Sequence, residues 1–238
     1  MSIAENVARI RSEMEAAAIA CGRDPREIRL CAATKMNDAD AVRQAIRAGV
    51  DCCGENRVQE LLQKLSQNAY EGAPVHFIGH LQTNKVKQVV GKVDLIQSVD
   101  SEKLLRAIDK EAGKQGILQD ILLEVNIGQE ASKSGFGADD ILPLLEKIDE
   151  FPNICIKGLM AIPPISHKNG ENLKFFQKMF QISVDIGTKK YDNVKVDCLS
   201  MGMSGDYPDA IRCGSTMIRV GTAIFRCQRL CHASSKLM

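Results

Sequence analysis

Apolar residues recur along the chain in two alternating patterns. Val7, Ile10 and Met14 stand at helical spacing behind Ser2 and Glu5, a capping box that predicts an N-terminal amphipathic helix. Short continuous apolar runs of strand length then alternate with helical segments. The eight strand-like runs cover residues 28–33, 50–54, 75–79, 95–99, 121–127, 156–162, 196–200 and 217–221. This alternation predicts parallel strands joined by helical crossovers.

Eight strand–helix repeats in 238 residues favour one closed (β/α)8 barrel, the TIM-barrel fold of the α/β class, with the N-terminal helix as an addition. The alternative is an open doubly wound sheet. Against it, no G-x-G-x-x-G turn follows the first strand. We therefore predict a single barrel domain over residues 1–225. The tail, residues 226–238, loses helix and strand patterning, and we expect it to be disordered.

The helical segments between the strands differ in length. They lie near residues 58–65, 85–90, 104–112, 141–148 and 173–186, and residues 205–212 have room for only a short helix. In the 173–186 segment the spacing predicts that Leu173, Phe176, Phe180 and Val184 face the core.

Composition and charge exclude several function classes. The 31 Lys and Arg residues nearly balance 30 Asp and Glu residues, so no basic surface for nucleic acid is expected. No apolar run approaches the ~20 residues of a membrane span, and the first residues lack a signal-peptide layout. We predict a cytoplasmic protein that does not bind membranes, and we expect a monomer.

The cysteines give no indication of a disulfide scaffold. There are nine, an odd number, in a long chain without an export signal, so reduced thiols are expected. Neither the adjacent pair Cys52 and Cys53 nor the group Cys227, Cys231 and His232 has the paired spacing of a zinc site. The sequence therefore predicts no bound metal.

Polar residues follow most of the strand-like runs, where a barrel of this kind carries its chemistry. They include Thr34, Lys35, Asn56, His80, Lys133, Ser204, Asp206, Arg219 and Thr222. Lys35 leaves a buried strand directly, so we expect a partly desolvated amine that can attack a carbonyl. The alternative is a lysine that only extends to solvent at the end of the barrel.

Glycine and hydroxyl residues near the last two strands are suited to a phosphate. Gly221 and Thr222 follow the eighth strand, and Ser204 and Gly205 follow the seventh, where such barrels often bind phosphate. Together with Lys35 they suit an aldehyde that carries a phosphate. Arg219 can donate to a ring nitrogen, or it can pair with Glu55 or Asp206.

Other polar residues have interpretations of their own. His76 is expected to be a packing residue, and His80 either fixes a loop or touches substrate. Glu124 and Asn126 alternate along the fifth strand, so both are expected to face the barrel and to bond to each other or to Lys35.

Several motifs resemble those of the YggS/PROSC family of pyridoxal-phosphate-binding proteins, also called pyridoxal phosphate homeostasis proteins. The resemblance spans almost the whole chain. It rests on AATK at 32–35, GENRVQE at 54–60, HFIGHLQTNK at 76–85, VNIGQEASKSGF at 125–136, GLMAI at 158–162, LSMGMSGDYPDAI at 199–211 and GSTMIRVGTAIF at 214–225. The chain departs from the family pattern at Arg226, where glycine is usual, and in the tail.

The resemblance implies a barrel like the N-terminal domain of alanine racemase. It also implies that Lys35 holds pyridoxal 5′-phosphate (PLP) as a Schiff base and that Asn56 lies beside the ring. Ser204, Gly221 and Thr222 would bind the phosphate, and Arg219 would face the pyridine nitrogen.

The implied role is a carrier that supplies PLP to PLP-dependent apo-enzymes, with no catalytic residues. An arginine at the pyridine nitrogen weakens the ring as an electron sink. Of the three tyrosines only Tyr207 is expected near the site, and it does not lie opposite Lys35. The alternatives are a weak PLP-dependent racemase or lyase, and a cofactor-free aldolase that uses Lys35.

Overall fold

In a computed structural model, which describes residues 1–165 and 170–225, the protein folds into a closed barrel of eight parallel strands. The strands are β1 (Arg29–Ala33), β2 (Cys52–Glu55), β3 (Val75–Phe77), β4 (Leu95–Val99), β5 (Gln119–Val125), β6 (Ile154–Ala161), β7 (Val194–Ser200) and β8 (Met217–Val220). Each strand pairs with the next one in the sequence, and β8 pairs with β1. The barrel prediction is confirmed, and the open doubly wound sheet is wrong.

Helices connect the strands on the outside of the barrel. They are α1 (Ile3–Ala20), α2 (Ala39–Arg47), α3 (Val58–Ser66), α4 (Glu102–Gln115), α5 (Ile141–Leu145), α6 (Leu173–Gly187), α7 (Tyr207–Arg212) and α8 (Thr222–Phe225). The helix predicted at 85–90 is instead a 3-10 helix, Thr83–Gln88. This helix connects β3 to β4, and 3-10 helices are frequent as connectors.

The N-terminal helix covers the outer face of the barrel where the barrel closes. Its capping box is present, since Ser2 and Glu5 each accept a hydrogen bond from the other's backbone amide. Val7 and Ile10 are fully buried, in one cluster with side chains of β1, β8 and α7. The helix therefore supports the two strands that carry Lys35 and Arg219.

Two layers of apolar side chains make up the core. The larger layer lies between the strands and the helices. A smaller cluster fills the barrel interior and draws on seven strands. It contains Cys31, Cys52, Leu95, Leu122, Met160, Cys198 and Met217. Barrels of this kind carry their binding residues at the carboxyl ends of the strands, which we call the mouth.

The buried face of α6 differs from the predicted face. Phe176, Met179 and Ile186 are buried, whereas Phe180 and Val184 are 46% and 44% exposed. Spacings of three and of four residues both fit a helix. The series of residues that was predicted to face the core therefore leaves the side of the helix that packs against the barrel.

The sequence also gave predictions for the C-terminal tail and for membrane-spanning helices. The tail, residues 226–238, lies outside the described residues. In the part of the chain that is described, no helix combines the length and the apolar character that a membrane crossing requires.

Candidate functional site

Lys35 stands at the mouth in a tight turn that follows β1. The next residue, Met36, has a positive φ of 62° and donates its amide to Glu60 Oε2 at 2.7 Å. The Asn37 side-chain amide bonds to the Lys35 carbonyl at 2.9 Å. The Lys35 side chain is exposed, so burial does not desolvate its ammonium group and that expectation is wrong. The turn instead holds the backbone and leaves the amine open to a ligand.

A buried ion pair anchors the backbone directly before Lys35. Lys64 Nζ lies 2.6 Å from Glu55 Oε1, and their side chains are 5% and 0% exposed. The same ammonium donates to the Thr34 carbonyl at 2.7 Å, and the Thr34 hydroxyl bonds to the Glu55 carboxylate. This group was not predictable from the sequence pattern, although Lys64 lies nine residues after Glu55 and on the buried side of α3.

Arg219 lies inside the barrel, and its partners are neutral. Its guanidinium donates to the Ser200 carbonyl at 2.8 Å, to the Ser200 hydroxyl at 2.6 Å and to the Ala161 carbonyl at 2.9 Å. Burial lowers its pKa below the usual range for arginine. Within the described residues no carboxylate forms an ion pair with it, so pairing with Glu55 or Asp206 is wrong. A buried cation of this kind suits a ring nitrogen acceptor.

The turns predicted to bind phosphate lie around this arginine. The Arg219 amide bonds to the Gly202 carbonyl at 3.0 Å, which ties β8 to the loop that carries Ser204. A Cβ at Gly221 would lie 3.1 Å from the Ala33 carbonyl oxygen, so the turn after β8 packs closely on the end of β1. The Ser204 and Thr222 side chains are exposed.

Backbone amides in these turns are free to bind an anion. In the described part of the chain, the amides of Ser204, Gly205, Gly221 and Thr222 donate to no protein acceptor. Amides of this kind are suitable donors for phosphate oxygens. The two turns therefore hold free amide donors, and phosphate binding by them stays a prediction.

Asn56 borders a cavity of about 280 Å³ on the other side of the mouth. Its Oδ1 atom is buried and has no hydrogen-bond partner among the described residues. Ile78, Glu124, Lys133 and Ile162 also line the cavity. A buried polar atom without a partner is costly, so this oxygen is positioned to receive a ligand. Lys35, Arg219 and the phosphate turns do not line this cavity.

Three further predicted residues have structural roles. Asn126 holds the loop after β5, since its side chain bonds to the backbone of Glu130 and Lys133 and not to Glu124 or Lys35. His80 bonds to Asp100 at 3.0 Å and fixes a loop. His76 is buried against Gln97 and Cys52, as expected of a packing residue.

Glu124 faces the cavity as a carboxyl group with a raised pKa. Burial is the main cause, the Asp100 charge adds to it, and Arg219 opposes both, so the pKa of Glu124 rises to about 7. Its expected hydrogen bonds to Asn126 and Lys35 are not formed.

All three tyrosines are described, and none of them lines the cavity beside Asn56. The Tyr70 hydroxyl bonds to buried Glu55, and the Tyr207 hydroxyl bonds to Glu13 on α1, outside the barrel. Tyr191 precedes β7, at the amino end of the strands. Burial raises the pKa of both Tyr70 and Tyr207. The hydroxyl groups of Tyr70 and Tyr207 are therefore occupied by carboxylate partners.

Comparison with known proteins identifies the family. The family model for the alanine racemase N-terminal domain matches residues 2–228. A pyridoxal phosphate homeostasis protein of Aquifex aeolicus is 38% identical over 225 residues, which cover 94% of this chain and 98% of the relative. The chain belongs to the pyridoxal phosphate homeostasis protein family.

Solved structures of similar proteins share the barrel of this homeostasis family. PipY of Synechococcus elongatus, solved with PLP bound, has a TM-score of 0.81 and 32% identity, covering 94% of this chain and 100% of PipY. A Bifidobacterium adolescentis protein described as unknown has a TM-score of 0.87 and 36% identity, covering 94% of both chains. Both agree with the alanine racemase-like barrel that the sequence predicted.

Proposed function

We propose that this protein binds PLP through Lys35 as a Schiff base and carries it in PLP homeostasis without efficient catalysis. Membership of the homeostasis family and the PLP-bound PipY structure support the cofactor. The residues at the mouth fit the group, because they combine an accessible amine, free backbone amides and a buried guanidinium.

Each residue of the proposed site has a separate role. Lys35 provides the amine that binds the cofactor. Ser204, Gly221 and Thr222 hold the phosphate through hydroxyl groups and backbone amides. Arg219 donates to the pyridine nitrogen. Asn56 lies beside the ring, where its unpartnered oxygen limits how the ring is oriented.

The neutral hydrogen-bond partners of Arg219 are the observation that carries the proposal against catalysis. When bound, PLP supplies an electron sink for amino-acid chemistry, and that sink is strongest with a protonated ring nitrogen. Arginine stays charged, so it donates to the nitrogen without protonating it. A racemase also needs a second base opposite the lysine; two of the three tyrosines bond to carboxylates, and the third precedes β7 at the amino end of the strands.

The proposed carrier acts in the cytoplasm as a monomer and delivers PLP to PLP-dependent apo-enzymes. The near balance of charge, +1 overall, gives it no electrostatic attraction to nucleic acid. Catalysis of a weak racemase or lyase reaction is the alternative function that the test must separate from carriage.

Proton exchange distinguishes a carrier from an enzyme. We expect the PLP-loaded protein in deuterated water to exchange the α-protons of single L-amino acids no faster than free PLP. A second arm adds an apo-enzyme that requires PLP, and its activity should recover when the loaded protein is the only source. Exchange at an ordinary enzymatic rate of about 1–1,000 s⁻¹ would contradict the proposal and establish the racemase or lyase alternative.

A further inference from the structure

Cys31, Cys52 and His76 form a compact group of possible metal ligands inside the barrel, below the mouth. Each of the three offers one ligand atom, and these atoms all lie within 4.8 Å of one another. The three side chains come from β1, β2 and β3, which are neighbours in the barrel. Cys31 and Cys52 are direct partners in the strand register.

The distance between the Cys52 and His76 ligand atoms matches the distance expected between two ligands of one soft metal ion. Cys52 Sγ lies 3.5 Å from His76 Nδ1. With metal–sulfur and metal–nitrogen bonds of about 2.3 and 2.0–2.1 Å, two ligands at a tetrahedral angle are about 3.5 Å apart. Two thiolates and an imidazole are the ligands that zinc and copper(I) prefer.

We propose that Cys31, Cys52 and His76 bind one thiophilic d10 cation, Zn²⁺ or Cu⁺. The site is distinct from the PLP site at the mouth, and it does not depend on the proposed function. All three residues are buried, with exposures of 0%, 2% and 4%, so the ion is held away from bulk water.

Polar and soft side chains surround the group. Gln97 Nε2 lies 2.8 Å from His76 Nδ1, so an ion bound at Nδ1 takes the place of this hydrogen bond. Gln97 is held in turn by the Ser200 hydroxyl at 2.7 Å, and Ser200 also binds Arg219. Met217 Sδ lies 3.1 Å from Gln97 Nε2 and adds a soft thioether near the group.

The neighbouring cysteines are excluded by their positions. Cys53 follows Cys52 in β2, but it belongs to the layer between strands and helices. Cys198 lies in the same barrel interior as Cys31, yet it is not part of the ligand group. Cys198 is therefore a matched control, because it is an equally buried interior thiol.

Metal titration of the full chain tests the site. The reduced protein, freed of metals and treated with hydroxylamine to remove PLP, is titrated separately with Zn²⁺ and Cu⁺ against chromophoric chelators. Co²⁺ serves as a spectroscopic probe of thiolate ligation. We expect one ion per chain, a thiolate-to-cobalt charge-transfer band and a raised thermal unfolding midpoint. The two arms show which cation binds.

Substitutions decide which residues bind the ion. The Cys31→Ala/Cys52→Ala variant should lose more than ~100-fold in affinity, together with the charge-transfer band and the thermal shift. The Cys198→Ala and Cys227→Ala/Cys231→Ala variants should keep all three. If the double variant does not fold, Cys31→Ala and Cys52→Ala are compared singly.

Three results would overturn the proposal. The first is a wild-type chain that binds neither Zn²⁺ nor Cu⁺. The second is undiminished binding by the variants of Cys31 and Cys52. The third is loss of binding in the Cys227→Ala/Cys231→Ala variant while the cluster variants retain it.

Discussion

Lys64 shows how a residue that touches no ligand can determine the site. Its ammonium lies between the Glu55 carboxylate and the Thr34 carbonyl, directly behind Lys35. Both members of the pair are buried, so neither charge has water to compensate it. The contacts of the ammonium fix the strand end that presents the amine, and loss of either partner would leave the other charge buried without compensation.

Removal of one member of this pair should destabilise the fold. Lys64→Met leaves the Glu55 charge buried without a cation, and we expect a loss of about 3–5 kcal/mol in the free energy of unfolding. Urea denaturation measures this loss. Lys103→Met, on the exposed side of α4, is the matched control and should change stability by less than about 0.5 kcal/mol. Equal stabilities of the two variants would mean that the pair does not hold this region.

Glu124 should make stability depend on pH. Its folded pKa of about 7 lies above its ordinary value. Below the ordinary value both states are protonated. As pH rises towards 7 the unfolded chain loses the proton first, so stability falls through this range. Glu124→Gln removes the effect.

The difference between wild type and Glu124→Gln measures this dependence. We expect the stability gained by the variant to grow between pH 5 and pH 8 by on the order of 2 kcal/mol, reduced by partial solvent access. Glu15→Gln, an exposed change on α1, should show no such trend. A difference for Glu124→Gln that stays constant with pH would show that the carboxyl group is ionised throughout.

The chemistry at single positions was partly predictable from the sequence. Lys35 and Thr222 lie at the mouth because a polar residue after a buried strand must lie near its carboxyl end, whereas Arg219 lies within β8 and is buried. Their partners were not predictable, since Ser200 and Ala161 reach Arg219 only when the barrel closes. The exposure of Lys35 depends on the turn at Met36, which no apolar pattern indicates.

Among the secondary-structure elements, β6 carries a backbone position that requires glycine. Gly158 has a φ of +139°, and a Cβ there would lie 1.9 Å from the Cys198 carbonyl oxygen of β7. The register between β6 and β7 shifts at this point. Close contact of the two backbones brings Ala161 and Ser200 to positions where both bind Arg219.

Alanine at Gly158 should therefore damage the fold. We expect Gly158→Ala to cost at least about 3 kcal/mol in unfolding free energy, because both the backbone conformation and the space exclude a Cβ. Gly187→Ala is the control, since its φ is not positive and no atom lies within 4 Å of the added carbon. That change should stabilise by about 0.4–1 kcal/mol. Thermal or urea unfolding measures the stability of the two variants. Equal stabilities would refute the packing argument.

Element boundaries were harder to predict than element types. The fifth strand was predicted at 121–127 and lies at Gln119–Val125, because hydrogen bonds to β4 and β6 decide where a strand begins. The buried face of α6 was misjudged because several residue series on one helix share nearly the same spacing. Both errors concern contacts between elements, which local patterns do not contain.

At the scale of the whole molecule, barrel closure unites residues that are distant in the sequence. The alternation of strands and helices was sufficient to predict the eight-stranded barrel, because parallel pairing and right-handed crossovers leave few other arrangements. The grouping of Cys31, Cys52 and His76 could not be predicted, since it depends on which strand residues face the interior at one level. The sequence therefore predicted the residues at the mouth better than the contacts between side chains inside the barrel.

Borohydride trapping tests the central claim most directly. Reduction of the PLP-loaded protein, followed by proteolysis and mass spectrometry, should place the pyridoxyl group on the peptide that contains Lys35. Lys35→Ala should lose that label and the visible absorbance, whereas Lys103→Ala should keep both. A pyridoxyl group found on another lysine, with unchanged absorbance in Lys35→Ala, would contradict the account.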